Sequence, residues 1–288
     1  MDRVLNGALQ VLYRGPLSSC NYTCGYCPFH KRKDHRAELA QDQNALERFV
    51  NWAISYTQTQ PLAILFTPWG EALVRRYYQQ ALIALSHLPN LRRVAIQTNL
   101  SASLTWLNQA DPAKIALWCT YHPSQTTLKK FLAQCQWLQQ HNLRFSVGMV
   151  GNRAELPQAL ALRQHLPSEI YLWINANRAE QPHYTATELA QWQTIDPLFA
   201  INLSQYASLG QRCYAGTRSI SVNGDGTVQR CHFVKKPLGN LYQAAGFVPE
   251  TAPCPNTICD CHIGYIQLPI LQQYAVYGDG LLERIPQR

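Results

Sequence analysis

Three cysteines lie close together near the start of the chain. Cys20, Cys24 and Cys27 have the spacing C-x3-C-x2-C. Three thiolates on one short loop can each hold one iron of a four-iron, four-sulfur (4Fe-4S) cubane. Because the loop has no fourth cysteine, the fourth iron would be open to another ligand. A zinc site is the alternative, since His30 or His35 could complete four closed ligands, although the spacing departs from the C-x2-C pattern of zinc knuckles.

A second group of cysteines lies in the last third of the chain. Its members are Cys213, Cys231, Cys254, Cys259 and Cys261. Five thiols can complete one 4Fe-4S cluster but not two, so one thiol is spare. Which of the last three is spare stays open, and because C-x-C ligation by both thiols is tight, either Cys259 or Cys261 could be the odd one. A structural zinc ribbon is the alternative, because it also joins a hairpin to two cysteine pairs.

The elements that position these cysteines follow from apolar runs that alternate with segments of helical period. The strand candidates are Leu9–Tyr13, Ala63–Phe66, Val94–Gln97, Ile115–Thr120, Phe145–Val150 and Ile170–Ile174. Their near-continuous apolarity is typical of a parallel sheet buried on both faces. Between them, residues 46–54 carry one apolar helical face, and another helix is predicted to open at Ser124.

Six βα units in about 200 residues predict an α/β fold, a partial (β/α)6 TIM-like barrel. Arg218–Val222 and Thr227–Cys231 flank the turn signal Asn223–Gly226, which predicts a β-hairpin in a small cysteine-rich domain. We therefore expect a barrel over residues 1–204 and a second domain over residues 205–288.

Polar or glycine residues follow several strands at the end where barrel enzymes place their active sites. These residues are Gly70, Glu71, Gln97, Thr98, Asn99 and Gly151, the last of which follows Val150. A single polar residue at a strand end is usually a turn former. Here such residues recur strand after strand at the same end, and His122 follows strand four.

The segment Cys20–Cys27, with Tyr26 directly before its third cysteine, resembles the cluster loop of the radical S-adenosylmethionine (SAM) superfamily. The resemblance covers roughly residues 8–200. It implies a 4Fe-4S cluster whose open iron takes the amino and carboxylate groups of SAM. It further implies reductive cleavage of SAM to a 5′-deoxyadenosyl radical, which abstracts hydrogen from a substrate.

The strand ends are similar to that family's SAM-binding segments. Gly70 and Glu71 resemble its Gly-Gly-Glu segment, although Trp69 replaces the first glycine. Gln97, Thr98 and Asn99 resemble the polar ribose segment, and Val150 and Gly151 resemble the adenine segment. Together with Tyr26, these residues form the expected SAM site.

The tail resembles the auxiliary-cluster domain called SPASM, or its shorter relative, twitch. Twelve residues separate Cys213 from Gly226, and four separate Gly226 from Cys231. The spacing of the last three cysteines departs from the SPASM pattern. The resemblance therefore implies the shorter form, with a second 4Fe-4S cluster.

The substrate class is less constrained than the radical chemistry. Relatives with an auxiliary domain mostly modify peptides or proteins, and the alternative is a small-molecule, carbohydrate-like dehydrogenase. Only 19 residues precede Cys20, so a leader-binding domain has no room there, and a separate recruiting protein could be needed. An electron donor such as flavodoxin or ferredoxin is expected, and the run Lys31–Arg36 could steer it or be a solvated loop.

Composition excludes several other classes. The chain has 288 residues, of which 47% are hydrophobic and 15% charged, which rules out a disordered chain or a coiled coil. No apolar stretch approaches the ~20 residues of a membrane span, and without a secretory signal we expect a cytoplasmic protein. The net charge of +8 suggests a zinc-stapled nucleic-acid binder as a distant alternative, but no basic stripe with interleaved aromatics supports it.

Overall fold

The computed structural model describes residues 7–29, 33–179 and 184–287. Its strands are β1 (Leu9–Arg14), β2 (Leu62–Phe66), β3 (Leu91–Thr98), β4 (Ile115–Thr120), β5 (Arg144–Gly151), β6 (Leu172–Ala176), β7 (Tyr206–Ala207), β8 (Ser219–Asn223), β9 (Thr227–Gln229), β10 (Pro237–Asn240) and β11 (Ile258–Cys259). Its α-helices are α1 (Arg36–Tyr56), α2 (Arg76–Ser86), α3 (Leu128–Gln140), α4 (Leu156–His165), α5 (Ala186–Ile195), α6 (Phe199–Leu203), α7 (His262–Tyr265) and α8 (Gln273–Tyr277). Within these ranges, no helix has the length and apolarity needed to cross a membrane.

Strands β1 to β6 form one parallel sheet in chain order. An α-helix lies between successive strands, except between β3 and β4, which are joined through a short 3-10 helix, Thr105–Gln109. The predicted partial (β/α)6 barrel is confirmed. Each of the six strands begins and ends within three residues of its predicted limits. The sheet has edge strands at β6 and β10, so the barrel is open rather than closed.

The predicted hairpin is present and extends the barrel sheet. Strands β8 and β9 pair antiparallel, with Val222 opposite Val228. Strand β8 also pairs parallel with β1, and Gln10 lies opposite Ser219. The sheet therefore continues past residue 204, and the division into domains at that position stays a prediction.

Helix α1 confirms its predicted apolar stripe, whereas helix α3 begins later than predicted. In α1, Leu46, Phe49 and Ala53 are buried, as the apolar stripe predicts. Helix α3 begins at Leu128 and is capped by Thr127, whose hydroxyl accepts from the Lys130 amide, so the predicted opening at Ser124 was wrong. The reason is a turn just before the helix, in which the amides of residues 125 and 126 bond back to the carbonyl of residue 122.

The two faces of the sheet pack against different partners. One face, with side chains such as Ile64 and Leu117, packs against helices and includes Phe49 and Leu138 in its core. On the other face, Leu65 and Trp118 pack against residues of the C-terminal segment, such as Leu282. This second face is the barrel interior, and the carboxyl ends of β1 to β6 open at its upper rim.

Candidate active site

The first cysteine group lies on the loop that leaves the carboxyl end of β1. Cys24 is buried, whereas Cys20 and Cys27 are partly exposed. The Cys27 amide donates to the Cys24 carbonyl across 3.1 Å, which turns the loop back on itself. Burial, together with the charges of Cys20 and Cys27, raises the pKa of Cys24 to about 11. The three thiols therefore lie close enough to repel one another as thiolates.

This donor set fits an iron–sulfur cluster, because soft thiolates from one loop are its usual ligands. A bound cation would offset both the burial and the mutual repulsion that raise the pKa of Cys24. All ten cysteines are free thiols. Among the described residues, no group of three or more His, Cys, Asp or Glu side chains is placed to hold a single metal ion. His30, the proposed zinc ligand, lies outside the described residues together with Lys31 and Arg32.

Two aspartates fix the start of the cysteine loop. Asp34 accepts from the amides of Ser18 and Ser19, at 2.9 and 2.8 Å, and from the Ser18 hydroxyl at 2.6 Å. Asp42 on α1 is fully buried and accepts from the Leu17 amide at 2.9 Å. Partial burial raises the pKa of Asp34, but the hydrogen bonds outweigh it and lower the pKa to about 2. Both carboxylates thus hold the backbone that leads into Cys20.

The end of β2 is packed directly against the same loop. The Glu71 amide donates to the Ser19 carbonyl across 3.1 Å. A Cβ placed on Gly70 would lie 1.8 Å from that carbonyl oxygen. Only glycine allows this close approach, which explains a glycine at position 70 without reference to any ligand.

The Glu71 side chain turns inward rather than toward the open rim. It is 2% exposed and accepts from the Thr98 hydroxyl at 2.8 Å, the Leu73 amide at 3.0 Å and the Asn99 amide at 2.5 Å. Burial raises the pKa of Glu71 to about 7, against the opposing effect of these donors. In this arrangement the carboxylate braces the ends of β2 and β3, a role that sequence comparison alone did not suggest.

The loops after β3 and β4 also contact the cysteine loop. The side-chain Nδ2 of Asn99 donates to the Asn21 side-chain oxygen at 3.0 Å and lies 3.9 Å from Cys20 Sγ. The Gln125 side-chain oxygen accepts from the Thr23 amide at 3.0 Å. The loop is therefore held from three neighbouring strand ends, which gives its thiols a fixed place at the rim.

Tyr26 is held by the histidine that follows β4. Its hydroxyl lies 2.7 Å from His122 Nδ1, and the two rings are nearly parallel, with an interplanar angle of 23°. Burial lowers the pKa of His122 to about 4, so the imidazole is neutral near pH 7. The position of His122 at a strand end was the only sequence signal for this contact.

The remaining predicted SAM-site residues lie on β3 and β5. Gln97 and Val150 are partly exposed, and both lie on the interior face of their strands, where they alternate with helix-side residues such as Ile96 and Met149. The Gly151 carbonyl accepts from the Tyr184 hydroxyl at 2.5 Å. Together with Thr98 and the cysteine loop, these residues lie at the carboxyl ends of three strands, β1, β3 and β5. Their part in binding SAM stays a prediction.

The five tail thiols gather beside the same rim. All five are partly exposed. Burial raises the pKa of Cys259, and the charges of Cys231, Cys261, Cys213 and Cys254 raise it further. Burial raises the pKa of Cys231 to about 12, and the charges of Cys261, Cys213 and Cys254 act in the same direction.

Arg14 lies at the end of β1, before the first cysteine loop and near two of the tail cysteines. Its Nε donates to the Thr67 carbonyl at 3.1 Å, and its guanidinium lies 4.2 Å from the Trp69 ring centroid. Burial lowers the pKa of Arg14, and the charges of Cys261 and Cys231 oppose that shift. A cation at the end of β1 thus stands near the tail thiols and directly precedes the first cysteine loop.

Sequence reasoning missed the residues that fill the barrel interior. Arg284 is 1% exposed, donates to Asn175 at 2.8 Å and lies 4.6 Å from the Trp173 ring centroid. Glu283 is fully buried and pairs with Arg144 at 2.8 Å and Arg93 at 3.3 Å. No local pattern in the last residues indicates this role, because it depends on contacts with strands far away in the sequence.

The fold is similar to that of solved structures of a protein called anSMEcpe. Native anSMEcpe with bound AdoMet and a Kp18Cys peptide matches with a TM-score of 0.52 and 13% identity, over 81% of this chain and 77% of that one. Native anSMEcpe with bound AdoMet alone matches with a TM-score of 0.51 and 13% identity, over 81% and 78%. At this identity the likeness shows a shared fold. No protein-family model matches the chain, and no curated protein matches its sequence.

Proposed function

We propose that this protein is a radical SAM enzyme. The observation that carries the proposal is the cysteine loop: three thiols on one loop at the end of β1, braced from three neighbouring strand ends. The fold that presents this loop is shared with a protein solved with bound AdoMet, which is SAM. A 4Fe-4S cluster held by Cys20, Cys24 and Cys27 would, when bound, supply the electron that cleaves the C5′–S bond of SAM to methionine and a 5′-deoxyadenosyl radical.

The chain's own residues would bind SAM and shield the radical. We propose that Tyr26, Gln97, Thr98, Val150 and Gly151 line the SAM site along the rim. The SAM site would be supported on the side of the cysteine loop by Gly70, Glu71 and Asn99. Glu71 and Asn99 form hydrogen bonds with each other and with that loop. Trp118 and Trp173, which are 4% and 1% exposed, close the interior below the rim and would keep water from the radical.

We further propose that the tail holds a second 4Fe-4S cluster on Cys213, Cys231, Cys254 and Cys259. The charges of these four thiols act on one another in every pairing. The charge of Cys261 also acts on Cys231 and Cys259, but Cys261 packs against the barrel-interior core. Its sulfur accepts from two backbone amides, those of Ile263 and Gly264, whereas the sulfurs of Cys213 and Cys231 each accept from one. Cys261 would therefore be the spare thiol.

For the substrate, we propose a peptide or protein side chain. The fold neighbour was solved with a bound peptide, and the barrel is open at the side, which suits a bulky substrate. A reduced flavodoxin or ferredoxin would provide the electron. The substrate would lose one hydrogen atom to the radical, which becomes 5′-deoxyadenosine.

The test is reductive SAM cleavage by anaerobically reconstituted protein. With dithionite, the wild-type chain should form 5′-deoxyadenosine and methionine, and Cys24→Ala should form neither. Cys135→Ala is the matched control, because Cys135 lies buried in the helix-side core and should leave cleavage intact. Absence of cleavage in iron-loaded wild type would contradict the proposal.

The substrate class needs its own experiment. Deuterated peptide pools should transfer deuterium to 5′-deoxyadenosine, as measured by mass spectrometry. Transfer from deuterated sugars but from no peptide would contradict the peptide assignment and indicate a small-molecule dehydrogenase.

A further inference from the structure

The side chain of Asn99, directly after β3, lies between the first cysteine loop and Ser101. On the loop side, Asn99 Nδ2 lies 3.0 Å from Asn21 Oδ1 and 3.9 Å from Cys20 Sγ. On the other side, Asn99 Oδ1 accepts from the Ser101 amide at 3.0 Å and from the Ser101 hydroxyl at 2.5 Å. Asn99 is buried, so these protein groups rather than bulk water are the partners of its side-chain amide.

The orientation of this side-chain amide follows from its contact with Ser101. A backbone N–H can only donate, so the Asn99 atom that faces the Ser101 amide must be the carbonyl oxygen. The Nδ2 group therefore faces the cysteine loop, and it has two N–H donors. One of them is used by Asn21 Oδ1, and the second is left for Cys20 Sγ. A cysteine that holds iron is a thiolate and can only accept, which sets the direction of this contact.

The neighbours of Asn99 hold its amide in this orientation. Asn21 Nδ2 donates to the Ser101 hydroxyl at 2.9 Å, and that hydroxyl donates to Asn99 Oδ1, so the three side chains form a closed ring. The backbone amide of Asn99 donates to Glu71 Oε2, which fixes the main chain at the same residue. The second N–H is therefore held in place beside the Cys20 sulfur.

We propose that Asn99 is a positioning residue that donates to Cys20 Sγ and raises the reduction potential of the cluster on the first cysteine loop. This inference rests on the proposed function, since it requires that cluster. Reduction adds one electron to the cluster, and a hydrogen bond to a ligand sulfur stabilises the added negative charge. The resemblance of the sequence places Asn99 in a ribose segment, whereas this geometry directs its side chain to a cluster ligand.

The experiment is a redox titration of anaerobically reconstituted Asn99→Leu, followed by electron paramagnetic resonance. The signal of the first-loop cluster is identified by its change when SAM is added, and the titration is then run without SAM. Leucine has a similar size but no N–H to donate. We expect the midpoint potential to fall by an amount that makes reduction roughly threefold less favourable, which is ~28 mV for one electron.

Gln125→Leu is the matched control for loosening of the loop. The Gln125 side-chain oxygen accepts from the Thr23 amide at 3.0 Å, so it holds the same loop as an acceptor at the backbone rather than as a donor to a ligand sulfur. The midpoint potential of Gln125→Leu should therefore match that of wild type.

A second variant separates the donor from the shape of the side chain. Asn99→Asp keeps the size and the acceptor for Ser101, but it replaces the donor beside Cys20 with negative charge. We expect a larger fall than in Asn99→Leu, with reduction roughly tenfold less favourable than in wild type, which is ~59 mV.

The outcomes separate this inference from the proposed function. An unchanged potential in the iron-loaded Asn99 variants, or an equal fall in Gln125→Leu, would overturn the role of Asn99 and leave the cluster in place. Failure of both Asn99 variants to bind iron, with normal loading of Gln125→Leu, would make Asn99 a structural brace and would also overturn it. Wild type that binds no iron would overturn the proposed function itself.

Discussion

Replacing Gly70 by alanine should move the cysteine loop away from the end of β2. The added Cβ would lie 1.8 Å from the Ser19 carbonyl oxygen and 2.4 Å from its carbon, whereas side-chain Cβ atoms keep at least 3.0 Å from such atoms. The loop and the strand end must therefore separate by about 1.2 Å. Both clashing groups are backbone, so no side-chain rotation can relieve the contact.

The expected loss of stability follows from the hydrogen bond that this separation would break. The hydrogen bond from the Glu71 amide to the Ser19 carbonyl, now 3.1 Å long, would be lost. With about 1 kcal/mol for that bond and the usual cost of overpacking, we expect Gly70→Ala to lower the free energy of unfolding by about 2–4 kcal/mol. A displacement of this size at a reacting centre can also cost ~100-fold in rate.

The assay compares Gly70→Ala with Gly25→Ala, a glycine on the same loop at which a Cβ would meet no atom within 4 Å. Urea unfolding of the apo proteins gives the stability difference, and SAM cleavage by the reconstituted proteins gives the functional one. Gly25→Ala should match wild type in both. If Gly70→Ala also matches wild type, the close packing of loop and strand does not position the cluster, and the reasoning fails.

Three further predictions test other parts of the account. Glu283→Ala should lower the free energy of unfolding by about 3 kcal/mol, because it leaves Arg93 buried without its carboxylate; the exposed Glu47→Ala is the control in urea unfolding, and equal stability of both variants would contradict it. Asp34→Asn should remove a pH dependence of the free energy of unfolding. Because the pKa of Asp34 is lowered to about 2, the carboxylate stabilises the fold above the ordinary pKa near 3.8, and this stabilisation is lost as the pH falls toward 2. The stability gap between wild type and Asp34→Asn, about 1 kcal/mol after solvent screening, should therefore shrink between about pH 4 and pH 2, and a gap that stays constant would be evidence against the assignment. In a background lacking Cys20, Cys24 and Cys27, Cys259→Ala should lose the remaining iron and Cys261→Ala should keep it; the reverse result would reassign the spare thiol.

Sequence patterns predicted the strands well because each strand is a local apolar run. Ile115–Thr120 was predicted to the residue, and the turn Asn223–Gly226 located its hairpin. The opening of α3 was wrong because Ser124 and Thr127 both suit a helix cap, and only the turn against His122 decides between them.

The contacts that organise the candidate site could not be predicted from local sequence patterns. The pairing of β8 with β1 joins residues about two hundred positions apart, and nothing in either strand specifies its partner. Glu71 was predicted from a resemblance as part of the SAM site, and that role stays a prediction. The sequence did not indicate that its buried side chain would accept three hydrogen bonds and join the ends of β2 and β3. Arg284 fills the interior from the far end of the chain, where the sequence has no periodic signal.

The most direct test of the central claim is an iron count on anaerobically reconstituted protein. We predict about eight irons per chain in wild type and about four in the variant lacking Cys20, Cys24 and Cys27, as expected for one cluster on the β1 loop and one in the tail. Bound zinc with no iron in either protein would contradict the radical SAM assignment.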